Sequence, residues 1–223
     1  MSTKRRNSKK KKHSNAGFHF CLVLIFFVVL IGSTGTLLWL NGFFSAEGTS
    51  SWSLFNNPAI LQEEKVPMDR VFIVGDSITL GAEAELREKI PGAAVDGVVG
   101  RSAPTGLEIL TDLKEDGIPL DYVVIGLANN VHQDEIKSFR AMLDLLSDEA
   151  TRIVFVTGHG KADMKAGNEF IRTLPNLYDN VTVADWDEAI SDHEEWLGGD
   201  GIHVYNKKAN TLYADLVYDA LIR

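Results

Sequence analysis

The sequence predicts an α/β protein: a three-layer α/β/α sandwich around a five-stranded parallel sheet, preceded by one N-terminal transmembrane helix. Three observations carry this expectation. Five short, largely apolar runs rich in Val and Ile recur after residue 70. Segments with helical spacing separate them. Ahead of them, a stretch without Asp, Glu, Lys or Arg runs from Ser14 to Ala46, behind a cluster of basic residues.

Residues 1–13 hold seven of the 22 Lys and Arg of this 223-residue chain, and no Asp or Glu precedes Glu47. The remaining 15 basic residues face 31 acidic ones, so the body carries a net charge of −16. Such a body is a poor partner for nucleic acid, whose phosphates require a basic surface. Residues 1–17 read as a basic cytoplasmic tail and 18–40 as a membrane anchor. At about 1.5 Å per residue, that apolar segment is long enough to cross a hydrocarbon core of about 30 Å. The basic flank stays in the cytoplasm, which places the body on the outer side of a cell membrane. Trp39, Phe43 and Phe44 suit the outer interface. A cleaved signal peptide is the alternative, because the run 20–31 has the length of an h-region and Ser33-Thr34-Gly35 offers a small-x-small site. Against it, no Ala-x-Ala follows and the apolar stretch resumes at Leu37. The single cysteine, Cys21, lies in the apolar run. That excludes a disulfide scaffold and a cysteine-built metal site, and it suits an extracytoplasmic body with no thiol to oxidise.

Residues 41–69, with Ser, Gly, Asn and Pro among scattered aromatics, read as a linker, and 70–223 as the folded domain. Strands are expected over 71–74, 93–99, 122–127, 153–156 and 181–184, as short apolar runs of buried-strand length. Helices are expected over 82–90, stopped by Pro91-Gly92, and over 104–115, with Leu107, Leu110 and Leu113 on one face. Further helices are expected over 134–146, over 165–174 ahead of Pro175, and over 206–222, with Leu212, Leu216 and Tyr218 as its apolar points. Apolar strands alternating with helices imply a parallel sheet covered on both faces, whose sites form at the C-terminal strand ends.

Those strand ends hold the candidate chemistry. Gly75-Asp76-Ser77 closes the first strand ahead of a helix, which exposes a serine at the top of the sheet. Asp200-Gly201-Ile202-His203 precedes the last helix. A carboxylate three residues ahead of an imidazole can accept its Nδ1–H, leaving Nε2 to take a proton from a serine. Gly100 after the second strand and Asn129 after the third can join the Ser77 N–H as three donors to an oxyanion. Each residue alone reads equally as a turn or cap; the order Ser, Gly, Asn, Asp, His gives the reading its force. His132, His159 and His193 read as surface or turn residues, and Asp185 and Asp187 as loop caps beside Trp186. A metal site from Asp200, His203 and His193 lacks a compact ligand motif, and no phosphate-binding or dinucleotide glycine motif is present, so no cofactor is expected.

These four blocks resemble the SGNH (GDSL-type) hydrolase family across residues 70–223. The stretches Val74-Gly75-Asp76-Ser77-Ile78-Thr79-Leu80-Gly81-Ala82, Val99-Gly100-Arg101 and Gly198-Gly199-Asp200-Gly201-Ile202-His203 are similar to the extracytoplasmic SGNH domain of cell-wall O-acetyltransferases. One departure stands out. That subgroup usually reads Leu-Gly-Thr-Asn-Gly in its third block, where this chain has Gly126-Leu127-Ala128-Asn129-Asn130. The turn is therefore open to reshaping, with Asn130 as the alternative donor.

The resemblance implies a flavodoxin-like sandwich and a serine esterase or O-acyltransferase acting on envelope glycans, with acetyl on peptidoglycan or a related wall polymer as the transferred group. Ser77 would attack, His203 act as base and then acid, and Asp200 orient His203. With one candidate span, the chain could not itself conduct acyl groups across a membrane, so transfer implies a separate integral-membrane donor protein or an external donor. Ester hydrolysis implies neither. The alternative is a degenerate SGNH domain that serves as a wall-binding or scaffold module.

Overall fold

The computed structural model describes residues 65–130, 133–160 and 162–223. The tail, the anchor, most of the linker and His132 lie outside the described residues. Among the described residues, no helix is long and apolar enough to cross a membrane.

Five parallel strands form one sheet in the order β2-β1-β3-β4-β5. They are β1 (Val71–Gly75), β2 (Ala94–Gly97), β3 (Tyr122–Gly126), β4 (Arg152–Val156) and β5 (Val181–Ala184). The helices are α1 (Ser77–Gly81), α2 (Glu83–Lys89), α3 (Ala103–Glu115), α4 (Glu135–Leu146), α5 (Lys165–Thr173), α6 (Trp186–Ser191) and α7 (Lys207–Ile222). Side chains alternate across the strands, as a pleated backbone requires. Val71, Ile73, Val124, Val154 and Ala184 enter one apolar cluster with Leu86, Trp186, Tyr213 and Val217. Val74, Val123, Ile125, Ile153 and Phe155 enter the other with Leu110, Phe139, Met142 and Ile171. Each large side chain so buried stabilises the fold by about 1.5–3 kcal/mol relative to its exposed state.

The expected α/β sandwich is thus present, with four local differences. A helix begins at once after β1, because the Asp76 carboxylate caps it by accepting from Ile78 N at 2.9 Å. The second strand stops at Gly97, and Val98 and Val99 turn outward, 46% and 70% exposed. Gly100 with φ +74° completes that turn, and Arg101 N donates to Val98 O. The buried face of α7 is Ala209, Tyr213, Val217, Ala220 and Leu221, while Leu212, Leu216 and Tyr218 are only partly buried. Small alanines allow close approach of α7 to the sheet, which hydrophobicity alone did not reveal. Finally, α6 was not expected; Asp185 caps it by accepting from Glu188 N, and Trp186 fills the core beneath it.

Candidate active site

Three glycines share one register position at the C-terminal ends of the central strands: Gly97, Gly75 and Gly126. A Cβ on Gly75 would lie 1.9 Å from Thr79 Oγ1, and one on Gly97 would lie 2.6 Å from Leu80 N. The bare backbone lets α1 settle directly on the strand ends, and this fixes the height of Ser77, the first residue of α1. Beneath it, Thr79 Oγ1 and the fully buried Tyr213 hydroxyl lie 2.9 Å apart. Burial pushes the Tyr213 hydroxyl well above its ordinary pKa, so it remains a neutral structural group.

Ser77 Oγ lies 2.9 Å from His203 Nε2, across 126 residues of sequence. His203 Nδ1 lies 2.7 Å from Asp200 Oδ2. The other Asp200 oxygen accepts from the backbone N–H groups of Ile202 and His203, both at 3.0 Å. His203 and these two N–H donors hold the Asp200 carboxyl well below the usual carboxylate range. A permanently ionised Asp200 sets the tautomer of His203, with the proton on Nδ1 and the Nε2 lone pair facing the serine hydroxyl. The loop carrying the pair is pinned by a bridge between Leu197 and Val204.

The strand order places Gly100 beyond β2 on one side of Ser77 and Asn129 beyond β3 on the other. Asn129 is held from three directions. Its backbone N and its Nδ2 both donate to Asp76 Oδ2, at 3.2 and 3.1 Å, and its Oδ1 accepts from His159 N at 3.0 Å. The adjacent Asn130 differs: its Nδ2 is buried and has no partner among the described residues. Asp76 itself is fully buried. Burial pushes its carboxyl above the ordinary pKa, while Ile78 N and both Asn129 donors act the other way.

Several groups at the site escaped the sequence reading. The Arg101 guanidinium donates to Gly75 O and to Asp96 Oδ1, which ties the loop after β2 to the end of β1. His159, expected at the surface, has Nδ1 2.9 Å from Asp187 Oδ1 and a side chain only 15% exposed. Arg172 donates from Nε and Nη2 to Asp185 and from Nη2 to Asp187. Asp185 and Asp187 therefore belong to an ionic network as well as to the start of α6. Spacings of 13 to 28 residues offered no signal for these pairs. His193 stacks on Trp196, with ring centroids 3.7 Å apart, and does not join Asp200 and His203. Among the described residues, no group of three His, Cys, Asp or Glu side chains is arranged to hold a metal ion.

This domain has the fold of the SGNH (GDSL-type) hydrolases. It superimposes on a lipolytic protein of the G-D-S-L family from Veillonella parvula with a TM-score of 0.55 at 17% identity, covering 69% of this chain and 98% of that one. Within that class, it is similar to the C-terminal catalytic domain of Streptococcus pneumoniae peptidoglycan O-acetyltransferase A, solved with a methylsulfonyl adduct. There the TM-score is 0.63 at 24% identity, over 68% of this chain and 91% of that one. In sequence, it is 29% identical over 159 residues to a Bacillus subtilis protein named "Putative peptidoglycan O-acetyltransferase YrhL", covering 70% of this chain. The chain spans about a quarter of the length of the curated relatives it matches. No family model matches it.

Proposed function

We propose that this protein is an SGNH-type serine esterase or O-acyltransferase that moves acyl groups, acetyl in the first instance, on peptidoglycan or a related envelope glycan. The observation that carries this reading is the unbroken chain from Ser77 Oγ through His203 to Asp200, with contacts of 2.9 and 2.7 Å. The names of the relatives support the glycan and the acetyl group. In the reaction, Ser77 Oγ attacks the ester carbonyl as its proton passes to His203 Nε2. Negative charge gathers on the carbonyl oxygen, which the N–H groups of Ser77 and Gly100 and the Asn129 amide stabilise. Collapse expels the alcohol, which takes the proton from His203, and leaves an acyl-serine. Water or a sugar hydroxyl then attacks that ester, giving its proton to His203, and Ser77 is released.

Residues 18–40 anchor the protein, with the domain on the outer side of the membrane and the tail inside. For transfer, a separate integral-membrane protein supplies acyl groups. The deciding experiment is an assay of the full-length protein in mild detergent with an aryl acetate, with and without a chito-oligosaccharide acceptor. Acetylated oligosaccharide means transferase, and acetate alone means esterase. Inertness toward both, with no labelling of Ser77 by an organophosphonate, would sink the enzymatic reading in favour of a wall-binding module.

A further inference from the structure

Beside the Asp200–His203 loop lies a cleft of about 740 Å³, lined among others by His159, Lys165, Arg172, Asp187, Gly199 and Gly201. That size falls within the range of small-ligand sites, roughly 300–1,000 Å³. Its position ties it to the reaction centre on two sides. Gly199 and Gly201 flank Asp200, and His159 N donates to the Asn129 side chain. The backbone around His159 is fixed as well, because Gly158 N donates to Asn168 Oδ1 and Asn168 Nδ2 donates back to Gly158 O.

The His159 ring is oriented in the same way as the catalytic imidazole. Its Nδ1 meets Asp187 Oδ1, and Arg172 holds Asp187 Oδ2 at 3.0 Å. A carboxylate at Nδ1 keeps the proton there and leaves Nε2 as an acceptor, with no partner among the described residues. The cations of the cleft are already committed, Arg172 to Asp185 and Asp187 and Lys165 to Glu169. With Glu169, Asp187 and Glu194 in the lining against Lys165 and Arg172, a free anion would meet no net positive charge. The glycines of the Asp200 loop line the cleft as well, and a Cβ on Gly199 would meet nothing within 4 Å. An oriented acceptor in a cleft without net positive charge suits a neutral ring bearing hydroxyl groups.

From this arrangement we infer that the cleft is the saccharide subsite, in which His159 Nε2 accepts a hydrogen bond from a hydroxyl of the sugar that accepts or releases the acyl group. The inference rests on the proposed glycan chemistry. Acceptor and leaving sugar occupy the same place, because attack on the acyl-serine reverses its formation.

The test compares full-length wild type with His159→Ala and with Gly199→Leu, which adds a side chain to the cleft lining and leaves His159 in place. Each variant should raise KM for an O-acetylated chitotetraose at least tenfold more than it raises KM for p-nitrophenyl acetate. In the Ser77→Ala background, chitotetraose titrated by calorimetry should bind, and each variant should weaken it at least fivefold. Equal effects on both esters, or binding insensitive to both variants, would overturn the subsite. If wild type cleaves neither ester, the proposed activity fails and the calorimetric titration alone decides the subsite. If His159→Ala fails to fold by its thermal melt, Gly199→Leu carries the comparison.

Discussion

Asp76 and Asn129 are joined twice through one oxygen: Asp76 Oδ2 accepts both the backbone N–H and the side-chain amide of Asn129. The residue before Ser77 thereby holds Asn129, the proposed oxyanion donor, which follows the neighbouring strand. One amide proton of Asn129 is spent on this bond, and in the proposed mechanism the other serves the oxyanion. Asn129→Ala should lower kcat by about 10²–10³, the usual cost of one oxyanion donor, with little change in KM. Steady-state kinetics on an aryl acetate would check this, with the melting temperature as a control. A large loss in Asn130→Ala and none in Asn129→Ala would transfer the role to Asn130.

Ser77→Ala and His203→Ala should each remove nearly all ester cleavage, by about 10⁴–10⁶ in kcat, and the double variant should lose no more than either alone. The pair acts as one unit, so its losses do not multiply. Asp200→Asn should cost less, since nucleophile and base remain. Full activity in folded Ser77→Ala protein would eliminate the serine mechanism.

Gly160 has φ +121°, and a Cβ there would lie 2.4 Å from Gly201 O. Gly160→Ala should therefore displace the Asp200–His203 loop. A misplacement of about 1 Å costs up to about 10²-fold in rate, so kcat should fall by about 10- to 100-fold. Wild-type kinetics in this variant would show that the loop has slack.

Glu135 is 4% exposed, and its Oε1 has no partner among the described residues. Burial, and then the charge of Asp163, push its carboxyl from an ordinary 4.5 to about 7. Below pH 4.5 the folded and unfolded chains both hold this proton, and the group does not affect stability. Between 4.5 and 7 the unfolded chain releases it first, so stability falls as pH rises, and above 7 the penalty is complete. At full extent, the shift corresponds to about 3 kcal/mol. Glu135→Gln should melt roughly 6–12 °C above wild type at pH 8 and together with it at pH 4. A gain of equal size at both pH values would point to packing instead.

The basic cluster before the charge-free stretch 14–46 gives a topological expectation. Protease added to intact protoplasts should digest the domain and spare a small N-terminal fragment. A protected domain would refute this orientation, and a soluble product beginning after residue 35 would indicate cleavage.

Much of this architecture was legible because strand runs and strand-end residues are local signals. The runs at 122–127 and 181–184 match β3 and β5 to within a residue. Ser77, Asp200 and His203 stood out because each sits at a boundary between a strand or loop and a helix. The face of α7 was less legible, since the core there selects alanines that pack closely over leucines that transfer well. The ring of Asp185, Asp187, His159 and Arg172 was invisible, because the ends of β4 and β5 and the helices α5 and α6 bring it together. Spacing along the chain records none of that.

Ser77 and His203, the proposed nucleophile and base, are separated by 126 residues, and α7 follows His203. The base proposed to activate Ser77 is thus remote in sequence. In the proposed mechanism, a chain in which the Asp200–His203 loop has not docked would carry a chemically silent serine, and docking of that loop would switch reactivity on. Docking of that loop would then serve as the enzyme's own activation step.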